Sequence, residues 1–204
     1  MINVDWLGFS LASVAVVLAP GPGSLFVART AAGGARDGVP AMAGIMVGDA
    51  CLISFSLLGV SALFLAHPSL FQGVRLGGAC YLIFLGLQSI FFAPERGNSG
   101  AARRGSAFRR AVSITLINPK AVLFFMAFFP IFIRPASDGL LAPYAAMTLL
   151  FMAISAAYLT FLVRVSSGVA LAFERNSRLR SVALKLSGCI FVGFGLKVAL
   201  AGPH

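Results

Sequence analysis

The chain has 204 residues, of which 59% are hydrophobic and 11% charged, with a formal net charge of +10. Soluble domains have about a quarter of their residues charged, so this chain has too little polar surface to face water, and the soluble class is excluded. Its basic residues lie between apolar runs, which indicates a membrane protein with positive cytoplasmic loops and excludes a nucleic-acid-binding domain.

Six apolar runs approach or exceed the roughly 20 residues that a helix needs to cross the hydrocarbon core. They are residues 4–27, 39–65, 76–92, 111–133, 141–163 and 182–201. The first run starts without positive charge and exceeds a signal-peptide core in length, so we expect it to be retained as a helix. The predicted fold class is an all-α integral membrane protein with six transmembrane helices, forming one membrane domain over residues 1–204.

The basic residues also predict the orientation of the chain. Twelve of the 16 lysines and arginines fall in loops on one side of the six runs, three fall on the other, and Lys120 lies inside a run. Since cytoplasmic loops carry the excess of lysine and arginine, both termini are predicted to face the periplasm of a bacterial inner membrane. The polar and basic stretch at 94–110 is predicted to be a cytoplasmic linker.

This linker divides the six helices into two similar halves, about residues 1–93 and 108–204. Residues 75–80 resemble residues 185–189, and residues 85–88 resemble residues 194–197. Two halves of three helices each have opposite orientations, so the similarity predicts a 3+3 inverted-topology repeat. The alternative is chance, because glycine and leucine are common in all membrane helices.

Two runs contain residues that break helices. Pro20, Gly21 and Pro22 interrupt the first run, followed by a further glycine, and Asn118 and Pro119 interrupt the fourth. Proline removes a backbone donor and glycine adds freedom, and freed backbone groups at membrane depth must be satisfied by protein, water or a ligand. We therefore expect helices 1 and 4 to be broken and to line a cavity. A plain packing kink is the alternative.

Two charged side chains within the runs, Asp49 and Lys120, could take part in chemistry at membrane depth. Asp49 is the acidic residue deepest in a span, where a carboxylate costs roughly 2.5–3.5 kcal/mol on insertion scales and should face a polar interior. It is predicted to bind an ammonium group or to carry a proton, and a structural pairing with Lys120 is the alternative. Lys120 either contacts an interior site or extends to the cytoplasmic headgroups. Gly44 and Gly48, which precede Asp49, are predicted mainly to allow close helix packing.

Other residues carry weaker signals. The pairs Phe124–Phe125 and Phe128–Phe129 are predicted to be lipid-facing or packing surface. No His/Cys/carboxylate pattern has metal-ligand spacing and no P-loop pattern occurs, so we expect no metal, no cofactor and transport driven by an ion gradient. The three cysteines form no CxxC motif.

Taken together, the Pro-Gly-Pro at 20–22, the GxxxGD at 44–49 and the Asn-Pro-Lys at 118–120 resemble the motifs of the lysine exporter and homoserine/threonine exporter family. The similarity is greatest to its leucine efflux branch, on the segments 108–111, 118–125 and 191–194. The resemblance covers the whole chain. It implies a bacterial transporter, not an enzyme, that exports amino acids by antiport with protons and is compatible with a homo-oligomer.

The residues favour a small neutral, leucine-like amino acid as the substrate. Asp49 would hold its amino group, and backbone amides exposed at the breaks of helices 1 and 4 would hold its carboxylate. The residues assigned to substrate binding or coupling are Asp49, Pro20, Gly21, Pro22, Gly48, Asn118, Pro119 and Lys120. The alternatives are a membrane redox protein of similar helix plan, which would need paired cysteines near the breaks, and an exporter of cationic amino acids or metal ions.

Overall fold

A computed structural model describes residues 4–19, 21–66, 68–91, 106–132, 141–165 and 176–200. Within these residues the chain forms eight α-helices. They are α1 (Trp6–Leu18), α2 (Pro22–Ala31), α3 (Ala35–Ala66), α4 (Pro68–Phe91), α5 (Ala107–Ile117), α6 (Pro119–Phe132), α7 (Leu141–Val165) and α8 (Ser177–Leu200). Helices α1 and α2 occupy the first predicted span and α5 and α6 the fourth, so both predicted breaks are present.

Several of these helices can cross a membrane. In the described part of the chain, three segments are long and apolar enough alone: Ala35–Gly59, Leu141–Val165 and Ser181–Leu200. Helices α1 and α2 make a fourth span if they are taken together with the 54° bend between them, and Leu76–Phe91 is a shorter apolar helix. The protein is therefore a helical integral membrane protein, and the count of six spans stays a prediction.

The outward surface suits lipid rather than water. Phe55, Phe84, Leu149 and Leu186 are between 58% and 72% exposed, although each is a large apolar side chain in the middle of a long helix. Soluble monomers rarely expose extended apolar patches, whereas lipid chains solvate such a surface well.

The first break follows from local backbone chemistry. Helix α1 ends because Ala19 is extended (φ −65°, ψ 119°), and Gly21 is extended again (φ −128°, ψ 175°) before α2 begins at Pro22. The Ser24 hydroxyl accepts a hydrogen bond from the Gly21 N–H (3.0 Å) and donates one to the Gly21 carbonyl (3.1 Å). Proline at the first helical position costs no hydrogen bond, so Pro22 starts α2 without strain.

The second break is shorter. Asn118 alone separates α5 from α6, and its extended backbone (φ −69°, ψ 106°) resembles that of Ala19 at the end of α1. Its carbonyl accepts from the N–H of Val122 at 3.1 Å, which begins the hydrogen bonding of α6. Since the residue before a proline disfavours the helical region, Pro119 itself explains why α5 ends there.

Glycines allow two pairs of helices to pack closely. A Cβ on Gly48 of α3 would lie 2.6 Å from the Thr115 Cβ of α5, and one on Gly44 would meet the Phe108 carbonyl oxygen. Neither position accepts a side chain unless the helices move apart. These close approaches agree with the packing role predicted for the two glycines, which stays a prediction.

Helices α4 and α8 cross in the same manner, but reciprocally. A Cβ on Gly86 would lie 2.6 Å from the Gly188 carbonyl oxygen, and a Cβ on Gly195 would lie 2.8 Å from the Ala79 carbonyl oxygen. Each helix therefore presents a small residue to the backbone of the other, which is how membrane helices gain packing contacts without a hydrophobic driving force.

The buried side chains form two clusters. The first, called here the aromatic cluster, includes Phe9, Phe124, Phe125, Phe128, Phe129, Phe132, Tyr144, Phe151 and Phe191. The second, called the small-residue cluster, includes Phe26, Val27, Ala28, Ala31, Ala41, Ile45, Ala107, Ala111, Leu159, Leu162 and Val163. Helix α1 begins in the aromatic cluster and α2 ends in the small-residue cluster, so the two clusters lie at opposite ends of the helix bundle.

Hydrogen bonds between helices fix the end with the aromatic cluster. The Ser56 hydroxyl of α3 donates to the Phe125 carbonyl of α6 at 3.0 Å and lies 2.6 Å from the Tyr144 hydroxyl of α7. The Ser187 hydroxyl of α8 donates to the Ala15 carbonyl of α1 at 2.8 Å. In membrane proteins such bonds stabilise by about 0.6 kcal/mol on average.

Candidate functional site

A cavity of about 670 Å³ lies between the two clusters and receives side chains from all eight helices described. Its lining includes Val16, Val17, Ala19, Gly21, Pro22, Gly23, Ser24, Leu25, Ile45, Asp49, Leu85, Gln88, Ser89, Ile114, Thr115, Asn118, Ala121, Phe124, Phe125, Phe151, Ser155, Tyr158, Leu159, Leu184 and Phe191. A volume of this size falls within the range of small-molecule sites, which are mostly apolar with a few polar groups.

Both helix breaks open onto this cavity. Gly21 and Pro22 line it at the first break and Asn118 at the second. The first amides of a helix have no intrahelical acceptor and carry the positive end of the helix dipole, so the start of α2 presents the Gly23 and Ser24 N–H groups as an anion-binding element.

Asp49 is the acidic residue of this cavity. It lies on α3, is 9% exposed, and its carboxylate forms no hydrogen bond or ion pair with any residue that the structure describes. An isolated buried carboxylate costs several kcal/mol unless a partner compensates it. A bound cation, a proton or the ammonium group of Lys120, whose side chain lies outside the described residues, would supply this compensation.

The structure brings together most, but not all, of the residues predicted for the site. Gly48 is not among the cavity-lining residues, because its Cα faces Thr115 across the α3–α5 contact. Pro20 lies outside the described residues, as do the side chains of Pro119 and Lys120, whose backbone forms the first turn of α6.

Six polar cavity residues were missed by the sequence analysis: Ser24, Gln88, Ser89, Thr115, Ser155 and Tyr158. Isolated serine, glutamine or tyrosine residues are common in membrane helices, so composition could not single them out. The spacing of Ser155 and Tyr158, three residues apart on α7, was the one available signal, because such residues share a helix face.

The lipid-facing interpretation of the aromatic run is wrong, and the packing interpretation is correct. Phe124, Phe125, Phe128 and Phe129 are at most 5% exposed. The Phe124 and Phe128 rings stack with centroids 4.6 Å apart. Phe124 and Phe125 also line the cavity. Sequence periodicity could not distinguish a lipid-facing phenylalanine from a buried one, because the lipid and the protein interior are both apolar.

The cysteines do not support redox chemistry at this site. Cys51 is half-buried, Cys80 and Cys189 are exposed, all three are unpaired, and none lines the cavity. Among the described residues no group of three or more histidine, cysteine, aspartate or glutamate side chains is arranged to hold a metal ion.

A mostly apolar cavity that contains a few polar groups and is bounded by broken apolar helices is typical of a membrane transport protein. Residues 14–202 match the LysE type translocator family, and the chain belongs to this family. It is 38% identical over 208 residues to an uncharacterised membrane protein of Pseudomonas aeruginosa, covering 97% of this chain and 95% of the relative.

Two further relatives have a name that states a substrate. The leucine efflux protein of Klebsiella pneumoniae is 32% identical over 201 residues, and that of Salmonella typhimurium is 34% identical over 207 residues. In both cases the alignment covers 96% of this chain and 95% of the relative. No solved structure matches the chain significantly.

Proposed function

We propose that this protein is a secondary transporter that exports small neutral, leucine-like amino acids from the cytoplasm in exchange for protons. The observation that carries this proposal is the single cavity in which Asp49 and both helix breaks meet. A zwitterion needs a cation-binding group and an anion-binding group within a few ångströms of each other. Asp49 is the first, and the amides at the start of α2 are the second.

The apolar walls of the cavity favour a leucine-like side chain. Val16, Leu25, Phe151 and Phe191 surround it, and Asp49 is the one acidic residue among its described lining residues. A cationic substrate such as lysine would bring a second positive charge without a second carboxylate to receive it. Two aligned relatives are named for leucine efflux, which agrees with this choice.

An inverted 3+3 repeat of six spans is part of the proposal. Gly86 and Gly195 are 109 positions apart, as are Ala79 and Gly188. Gly86 of α4 packs against Gly188 of α8, and the equivalent residue Gly195 of α8 packs against Ala79 of α4. A two-fold axis that relates the halves would produce this reciprocity. Glycine and proline at the breaks would then act as hinges between inward-open and outward-open states.

Contacts at the end with the aromatic cluster support an even number of membrane crossings. The Lys197 ammonium of α8 lies 2.5 Å from the Asp5 carboxylate before α1, and the Asp5 N–H donates to the Phe132 carbonyl of α6. The start of α1 and the last turns of α6 and α8 therefore lie on one side. At the opposite end, Arg110 near the start of α5 lies over the Phe26 ring of α2 at 5.7 Å.

The proposed orientation in the inner membrane has both termini in the periplasm. We expect a cysteine at Ser137 to react with an impermeant thiol reagent in intact cells, because the loop between the fourth and fifth predicted spans is predicted to be periplasmic. A cysteine at Ser99 should react only after lysis, because the linker at 94–110 is predicted to be cytoplasmic. The background for both replaces Cys51, Cys80 and Cys189. Labelling of Ser99→Cys alone in intact cells would contradict this orientation.

Export is tested by loading cells with dipeptides that release leucine or lysine inside. We expect cells that produce the protein to accumulate leucine in the medium several times faster than vector-only cells, with no comparable gain for lysine. A protonophore should abolish the difference, because it removes the driving force.

Strong lysine export without leucine export would contradict the proposed substrate. Leucine export that persists unchanged with a protonophore would contradict proton coupling. If the protein is instead a redox protein or a metal exporter, leucine and lysine should accumulate in the medium equally fast with producing and vector-only cells.

A further inference from the structure

Two buried serines in the described helices, Ser13 and Ser155, form no hydrogen bond with a described residue, and of these Ser155 on α7 lines the cavity whereas Ser13 does not. The hydroxyls of Ser10, Ser54 and Ser89 each donate to a carbonyl four residues earlier in their own helix, at 2.7–2.8 Å. Such back-bonding is the usual arrangement for a serine within a helix. Ser155 is 4% exposed and lines the cavity, yet its hydroxyl bonds to no residue that the structure describes.

A buried hydroxyl that stays free of its own helix keeps its donor for another group. Leaving a hydroxyl without a partner costs about 1–3 kcal/mol, and back-bonding to Phe151 would avoid this cost. Ser155 lines the cavity, so a molecule bound in the cavity can accept a hydrogen bond from its hydroxyl.

Tyr158 connects the same face of α7 to the first helix break. Its hydroxyl faces the Ser24 hydroxyl on α2, and both residues line the cavity. Ser24 in turn bonds to both the N–H and the carbonyl of Gly21. Tyr158 therefore holds the first turn of α2 against α7, one helical turn from Ser155.

Ser155 and Asp49 lie on two antiparallel helices that pack together, and both line the cavity. Toward one end of this contact the Ser56 hydroxyl of α3 lies 2.6 Å from the Tyr144 hydroxyl of α7, and toward the other the Thr160 hydroxyl of α7 lies 3.7 Å from the Met42 sulfur of α3. Asp49 and Ser155 both lie between these two contacts. One supplies a negative charge to the cavity and the other a neutral donor. A zwitterion fits this pair in one orientation, with its ammonium group at Asp49 and its carboxylate at Ser155.

We propose that Ser155 is the side-chain donor of the carboxylate subsite, that the first-turn amides of α2 complete this subsite, and that Tyr158 is a positioning residue that holds them in place. This inference rests on the amino-acid export proposed above.

The test is competition in proteoliposomes that contain the purified full-length protein and take up labelled leucine by exchange. Leucinamide lacks the carboxylate, and N-acetylleucine lacks the ammonium group. Loss of a hydrogen bond to a charged group weakens binding by about tenfold or more, so Ser155→Ala should raise the KM for leucine about tenfold with little change in kcat. The preference for leucine over leucinamide should narrow by the same factor, and the preference over N-acetylleucine should not change.

Matched variants separate binding from folding. Ser54→Ala removes a hydroxyl that bonds its own helix on an exposed face, and it should behave as the wild type. Ser155→Thr keeps the hydroxyl and should restore discrimination against leucinamide. If Ser155→Ala does not fold, Tyr158→Phe provides the same measurement, with a narrowed leucinamide preference expected.

Three outcomes are distinguishable. Leucine exchange by Ser155→Ala with unchanged discrimination against leucinamide would overturn the subsite and leave the export proposal intact. If the preference of Ser155→Ala for leucine over N-acetylleucine narrows instead, Ser155 binds the ammonium group, and this result would also overturn the proposed carboxylate subsite. Absence of leucine exchange by the wild-type protein would contradict the export proposal itself.

Discussion

Replacing Asp49 with asparagine is expected to reduce leucine efflux by at least about 100-fold while the protein still reaches the membrane. Truncating one partner of a buried charge pair costs about 3–5 kcal/mol, which corresponds to this factor or more. Asparagine keeps the size of the side chain but provides neither a charge for the substrate ammonium group nor an exchangeable proton. The measurement is efflux of labelled leucine, normalised to the amount of protein in the membrane.

Asp37→Asn is the matched control, because Asp37 lies in the first turn of the same helix and outside the cavity. It should retain efflux. If Asp49→Asn exports leucine at the wild-type rate, the carboxylate is structural and the proposed cation site is wrong. If both variants lose efflux together with membrane abundance, the substitutions impair the folding of α3. Asp49→Glu, which keeps the carboxylate on a longer side chain, then tests whether the charge itself is required for efflux.

Straightening the first helix break is expected to reduce efflux at least about tenfold without a loss of stability. In the double variant Pro20→Ala and Pro22→Ala, two residues that each disfavour a helix interior by about 3 kcal/mol are replaced by the best helix former. Helix α1 can then continue toward α2, which withdraws the Gly23 and Ser24 amides from the cavity. We expect thermal unfolding in detergent at the wild-type temperature or above it, combined with reduced leucine efflux.

Pro40→Ala controls for the general effect of removing a proline. Pro40 lies within α3, which continues past it from Ala35 to Ala66, so its replacement straightens no break. This variant should keep efflux near the wild-type level. Full efflux by the double variant would show that the break serves packing, whereas an unfolded double variant would show that Pro22 holds the fold together.

The helix breaks could be predicted because their causes are local. Proline lacks an N–H and restricts the residue before it, whatever surrounds it. Residues 20–23 and 118–120 therefore predict helix ends within a few residues of Leu18 and Ile117, where α1 and α5 end. The spans were predicted for a similar reason, since a run of about 20 apolar residues has few alternatives to a membrane helix.

The inward face of each helix could not be predicted in this way. In a soluble protein, polar residues mark the outer face, whereas in a membrane both the lipid side and the core side are apolar. The Phe124–Phe129 run therefore suited either environment, and packing against Phe9, Tyr144 and Phe151 put it inside. Ser155 gained its place in the cavity in the same way.

Membership of the membrane class, the two breaks and the choice of Asp49 as a candidate site residue could thus be inferred from the sequence alone, because each depends on the chemistry of a short segment. The cavity depends on distant segments: Gly44 and Gly48 bring α5 close to α3, and Tyr158 reaches Ser24 from 134 positions away along the chain. Such contacts form only when the helices pack, since each requires a particular rotation and depth of two helices. The pairing of Asp49 with the breaks in one cavity is the result of that packing.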